Sequence, residues 1–258
     1  MTTSPATPFT PLTGPLSAPP RRIRVDVWSD VACPWCFIGK RRFAAALERF
    51  PHREHVEVVW RSYQLSPETA AGPGRPEVDA LAEMKGLDRD QVRQMFAHVT
   101  AVAATDGLRY DFDRTLAFNT FDAHRLLHLA ARAGGAPLVD ATTEALFTAH
   151  FEQRADLGAE GALVALAGRV GFADHGWDSD RVAAALAGDD AADAVRADLA
   201  EARALGVTGV PFFVVDRRYA VSGAQPAEVL TQLLDAGWRE ANPLAAVAGG
   251  DVCGPDGC

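Results

Sequence analysis

Cys33-Pro34-Trp35-Cys36 is the stretch of this 258-residue chain best equipped for chemistry. Two thiols two residues apart suit reversible disulfide exchange: one sulfur attacks a foreign disulfide, and the other releases the mixed intermediate. Cys33 is expected as the nucleophile, because a helix start offers unpaired N–H groups and a dipole that favour an anion. Cys36, one turn further, is expected as the resolving thiol. Pro34 and Trp35 lie between the sulfurs and are candidates for shaping the substrate surface. A second pair, Cys253 and Cys258, sits on a Gly/Pro tail and is expected to serve as a relay dithiol. Four cysteines as CxxC and CxxxxC are also the raw material of a tetrahedral Zn²⁺ site. A proline inside the first pair and a loose tail around the second argue against it, and no metal is expected.

Other polar residues are weaker candidates. His124 and His128 are four apart and share a helix face, but Arg125-Leu126-Leu127 between them lacks the glutamate of a metalloprotease motif. They are expected on the polar flank of an amphipathic helix. Asp30, three residues before Cys33, is expected in a turn or capping role. Lys40, Arg41 and Arg42 read as a solvated helix face.

The elements around the dithiol follow from periodicity. Ile23, Val25 and Val27 alternate as one face of a strand. Phe43, Leu47 and Phe50 form a helical stripe after Pro34, which suits a first turn. Val56 to Tyr63 is rich in β-branched and aromatic residues and reads as a second strand. From about Pro76 to Leu205 the pattern is helical throughout. One stripe carries Val92, Met95, Phe96, Val99 and Val102; another helix is capped by Asn119 and stops at Gly134-Gly135; the last ends with Leu205 before Gly206. Strand patterns return at Phe212–Val215 and Tyr219–Ser222, and Pro226 opens a final helix. Two-stranded sheets are marginal alone. The expected fold is therefore α/β, with one four-stranded mixed sheet interrupted by a large all-helical insertion. The boundaries are 1–22 for a disordered leader, 23–75 and 206–240 for the two halves of the sheet domain, 76–205 for the insertion, and 241–258 for the tail.

A net charge of -9 argues against nucleic acid or an anionic membrane as partner. No apolar run approaches the ~18 residues of a spanning helix. The first twenty residues hold six of the sixteen prolines and lack the pattern of a secretion signal, so a cytoplasmic location is expected. In that reducing setting cysteine pairs are more often redox-active than structural.

Cys33-Pro34-Trp35-Cys36 after Val27-Trp28-Ser29-Asp30, together with Gly209-Val210-Pro211-Phe212-Phe213, resembles the DsbA-like thioredoxin-fold oxidoreductases. The lead-in Ser29-Asp30-Val31-Ala32 and the run Asn119-Thr120-Phe121-Asp122-Ala123-His124 are similar to the FrnE subgroup. The resemblance implies a thioredoxin fold with a helical insertion and thiol–disulfide exchange or isomerisation on protein or small-molecule disulfides. It also implies a cis Val210–Pro211 bond facing the dithiol, with Val210's backbone offered to substrate, and His124 and Asn119 beside the site. No cofactor is implied beyond glutathione or a thioredoxin-type reductant as co-substrate. Partners would be thiol- or disulfide-bearing proteins or small thiols, and the protein a monomer or homodimer. Rival readings are a glutathione-dependent isomerase of the 2-hydroxychromene-2-carboxylate type, which characteristically has serine at the Cys33 position, and a zinc-binding redox switch or chaperone.

Overall fold

A computed structural model describes residues 19–243 of the chain. The leader before residue 19 and the expected relay pair Cys253 and Cys258 lie outside the described residues. In chain order the elements are β1 (Ile23–Ser29), α1 (Pro34–Arg49), β2 (Val56–Ser62), β3 (Arg75–Pro76), α2 (Glu77–Lys85), α3 (Arg89–Thr105) and β4 (Leu116–Ala117). There follow α4 (Phe121–Phe151), α5 (Ala162–Arg169), α6 (Ser179–Ala187), α7 (Ala192–Ala204), β5 (Phe212–Val215), β6 (Tyr219–Ser222) and α8 (Ala227–Ala241).

The alternation in β1 does what period two requires. Ile23, Val25 and Val27 are fully buried against Phe43 of α1, Phe50 just after it, and Leu230, Leu234 and Trp238 of α8. The sheet order is β2-β1-β5-β6, with β1 parallel to β2 and antiparallel to β5. A parallel neighbour needs a crossover, and α1 supplies it. The opposite face of β1 carries Trp28, which packs with the insertion: Phe37 of α1 stacks on Phe147 of α4 at 5.0 Å between ring centroids. The fold is thus a thioredoxin-type mixed sheet with a helical insertion between its halves.

The insertion departs from the expected pattern in three places, and α1 in a fourth. It is not wholly helical: β3 and β4 pair antiparallel at its mouth, and the Glu77 N–H donates to Thr115 O at 2.9 Å. Met95 and Leu205, expected on apolar stripes, are 43% and 42% exposed, because the buried faces of α3 and α7 are only one or two side chains wide. The expected break at Gly134-Gly135 appears as a kink inside α4, where Gly135 adopts φ 65°, open to glycine at no steric cost. The basic run is no solvated face: Lys40 is buried and pairs with Asp140 and Glu144, Arg41 with Glu144, and Arg42 with Asp106. Those pairs fasten α1, and the dithiol it carries, to the insertion.

Candidate active site

The dithiol is built at the junction of β1 and α1. Ser29 ends the strand, and the Cys33 N–H donates to Asp30 O at 3.0 Å, closing a turn that delivers Cys33 as the N-cap of α1. Pro34 occupies the first helical position, where its missing N–H is no loss. Cys36 follows one turn in. Both thiols are free, and both are buried, with Cys33 3% and Cys36 0% exposed.

The second wall comes from the chain's other half. The Val210–Pro211 bond is cis, and the Cys33 thiol donates to Val210 O at 3.5 Å. Val210's carbonyl, expected to be free for substrate, is therefore engaged by Cys33. The approach depends on Gly39 of α1: a β-carbon there would lie 2.7 Å from Pro211 Cγ. The third wall is the insertion. Tyr110 Oη donates to Pro34 O at 2.6 Å, and Trp35, 36% exposed, sits with its ring 6.3 Å from that of His98 on α3. Trp35 is thus at the surface beside the dithiol rather than in the core.

Burial pushes the Cys36 thiol well above its ordinary pKa, and the neighbouring Cys33 adds to the effect; the Ser29 hydroxyl and the Asp30 backbone oppose it. Burial likewise pushes the Tyr110 hydroxyl up, helped by both cysteine sulfurs. Tyr110 is consequently a neutral donor across the working pH range.

The two histidines are not on a polar flank. His124 is 1% exposed, and its Nε2 lies 3.2 Å from Asp30 Oδ1. It reaches the dithiol only through Asp30, which is itself buried and whose Oδ2 accepts the Leu65 N–H at 2.8 Å. His128 Nε2 lies 3.0 Å from Asp198 Oδ2 on α7 and 3.1 Å from Ser62 Oγ on β2. Packing overrode the amphipathic expectation because α4 is enclosed between the sheet and the rest of the insertion. Asn119 does act at the start of α4: its Oδ1 accepts the Phe121 N–H at 2.9 Å and the Gln64 side-chain amide at 3.2 Å, while its own amide nitrogen donates to Thr69 O. It braces the loop after β2 and does not touch the cysteines.

Residues that the sequence did not single out complete the surroundings. Glu77 is pushed up to about 7 by burial and by the Asp30 charge. His150 is pushed down to about 4 by burial, against the pull of the same aspartate. Tyr110, Glu77, His150 and Gly39 come from separated segments, so no local spacing could flag them. Among the described residues no group of three or more His, Cys, Asp or Glu side chains is arranged to hold a metal ion, and no helix is long and apolar enough to cross a membrane.

Comparisons with known proteins agree with this layout. The chain is 43% identical to a probable DsbA oxidoreductase from Streptomyces coelicolor, with a TM-score of 0.78 over 92% of this chain and 98% of that one. A 2-hydroxychromene-2-carboxylate isomerase shares the fold at 14% identity and a TM-score of 0.63, over 87% of this chain and 98% of its own. The cytosolic disulfide reductase DsbM from Pseudomonas aeruginosa does so at 18% and 0.53, over 84% and 96%. An uncharacterized protein, YwbO, from Bacillus subtilis is 38% identical over 45 residues, which is 17% of this chain and only 20% of that relative. The model of the DSBA-like thioredoxin domain matches residues 24–235, a span that holds the dithiol, the Val210–Pro211 loop and the whole insertion. The chain belongs to the DSBA-like thioredoxin domain family.

Proposed function

We propose that the chain is a thiol–disulfide oxidoreductase in which Cys33 is the nucleophile and Cys36 the resolving thiol. The observation that carries this reading is the placement of two free thiols at the first turn of α1, with the Val210 carbonyl on Cys33. The Cys33 thiolate attacks a substrate disulfide, forming a Cys33–substrate disulfide and expelling one substrate thiolate. Cys36 then loses its proton and attacks Cys33 Sγ, which forms the internal disulfide and releases the second substrate thiolate. Two electrons pass to the substrate, and the reverse sequence oxidises it.

Substrates are disulfides of proteins or small molecules, and no resident cofactor takes part. DsbM, a neighbour at the level of fold, was solved with GSH, so glutathione is the first co-substrate to test. Membership of the FrnE subgroup, action in the cytoplasm and a relay through Cys253 and Cys258 belong to the same proposal. Cys36→Ala is expected to accumulate a mixed disulfide when given oxidised glutathione or a disulfide-bearing unfolded protein, visible by mass spectrometry. Cys33→Ser is expected to abolish both adduct and turnover. Persistent turnover in Cys33→Ser, or glutathione-dependent isomerisation without disulfide exchange, would refute the assignment in favour of the isomerase reading.

A further inference from the structure

A cavity of about 540 Å³ opens around the start of β1. Six arginines line it: Arg21, Arg22 and Arg24 at the entry to β1, Arg61 on β2, and Arg217 and Arg218 in the turn between β5 and β6. Three carboxylates, those of Asp26, Asp216 and Glu240, share the wall. The lining thus holds a surplus of three positive charges, in a chain whose net charge is -9. Arg21 and Arg22 precede β1, whereas the dithiol follows it. Seven strand residues at about 3.3 Å each set the two about 20 Å apart.

The arginines are held in place by contacts that leave part of their charge unmatched. Asp26 is 4% exposed and accepts from Arg24 Nη2 at 3.0 Å and from Arg61 Nε at 2.8 Å, which fixes two guanidinium groups on one carboxylate. Behind the wall, Asp198 takes a second contact from Arg61, and Glu201 pairs with Arg217. Arg218 pairs with Glu240. Arg21 and Arg22 have no ion pair among the described residues, so the unmatched charge sits with them. Asn242 clasps the Arg21 backbone, accepting its N–H at 2.8 Å and donating to its carbonyl at 3.1 Å. The turn carries a second sign of function. Asp216 and Arg217 adopt φ 48° and 59°, the left-handed region that favours glycine. Asp216 has a structural reason, because its Oδ1 accepts the Arg24 N–H at 2.8 Å. The Arg217 side chain is 67% exposed, and what a glycine there would lose is a charge on the cavity rim.

We propose that this cavity binds a small anion bearing two or more phosphate groups. The inference goes beyond the disulfide chemistry and does not rest on it. A terminal phosphate offers three oxygens to guanidinium groups, which grip such oxygens two at a time. Several arginines around one cavity therefore suit several linked phosphates better than one. Arg217 and Arg218 can trade their exposed carboxylate partners for phosphate at little cost, since surface ion pairs contribute little. Among the described residues no aromatic side chain lines the cavity, so there is no platform for a nucleobase. An inorganic polyphosphate and the diphosphate of a nucleotide are thus recognised alike, through the phosphates.

The test is isothermal titration calorimetry of the full-length protein at low ionic strength. Tripolyphosphate is expected to bind saturably, ADP and GDP to bind alike, and AMP and citrate to bind at least about tenfold more weakly than tripolyphosphate. Arg22→Gln and Arg217→Gly should each weaken tripolyphosphate binding about tenfold, the scale of one lost hydrogen bond to a charged group. Arg217→Gly should also melt no lower than wild type, because glycine relieves the turn, so its loss of binding is not a loss of fold. Arg93→Gln removes an exposed arginine of α3 outside the cavity and should bind as wild type does. No saturable binding, equal weakening in Arg93→Gln, citrate binding as tightly as tripolyphosphate, or bound ADP that tripolyphosphate does not displace would each overturn the proposal.

Discussion

Gly39→Ala isolates the contact that brings the two halves of the site together. Gly39 is inside α1, where alanine is favoured over glycine by about 1 kcal/mol. The added β-carbon, however, would lie 2.7 Å from Pro211 Cγ and 3.3 Å from Pro211 Cβ. Carbon atoms pack at about 3.5–4.0 Å, so the loop must retreat by on the order of 1 Å, and a proline ring cannot rotate aside. Overpacking of this kind costs about 1–3 kcal/mol, so the net change is a destabilisation of about 1 kcal/mol. Activity should suffer more than stability. The retreat moves Val210 O from its 3.5 Å contact with the Cys33 sulfur, and misplacement by 1 Å at a reacting centre can cost about 10²-fold in rate. Gly168→Ala is the control: it is also helical, but its nearest neighbour to the new β-carbon is Ser179 Oγ at 4.0 Å. It should gain close to the full propensity term of about 1 kcal/mol with unchanged exchange. Thermal melts and stopped-flow thiol exchange on the two variants decide the matter. If Gly39→Ala were as stabilising as Gly168→Ala and exchanged disulfides at the wild-type rate, the close approach of α1 to Pro211 would not be what sets the site.

Three further outcomes follow from the geometry. Arg125 is 4% exposed and donates to the carbonyls of Ala185, Leu186, Gly188 and Asp190, closing the end of α6. Arg125→Met, which keeps much of the bulk, should lower stability by about 3 kcal/mol in urea titration by leaving buried acceptors unpaired, and Arg125→Lys should recover less than half. Tyr110→Phe removes the donor to Pro34 O and should cost about 1 kcal/mol; its redox equilibrium with glutathione should also move, since Tyr110 lies within the field of both sulfurs. Glu77 and His150 should oppose each other in acid. Glu77, raised to about 7, contributes stability that is full below its unfolded value near 4.5 and lost as pH rises to 7. His150, lowered to about 4, contributes stability present above its unfolded value near 6.5 and lost as pH falls to 4. Wild-type stability should therefore change little across this window, whereas Glu77→Gln should lose about 2–3 kcal/mol on acidification from pH 6.5 to 4. An equally flat profile in the variant would refute the pairing.

Much of the fold was legible because its signals are local. Alternation in Ile23–Val27, the proline after Cys33 and the apolar stripe of α1 each depend on neighbours within a turn or two. The split sheet followed from counting strands, since neither half is stable alone. Met95, His124 and His128 were misplaced for a common reason. Period tells which residues share a face, but not how many faces of a helix are covered, and α4 is enclosed on more sides than α3.

Residue type and spacing along the chain located the dithiol, its strand-to-helix turn and a four-stranded mixed sheet split by a helical insertion; the thioredoxin identity and the importance of Val210-Pro211 came from the resemblance of those motifs to a family. What surrounds the sulfurs emerged from folding alone: Val210 O on Cys33, Gly39 against Pro211, and Tyr110 on Pro34. These contacts join segments up to 177 residues apart. Burial, not local propensity, sets both their geometry and the ionisation of Cys36.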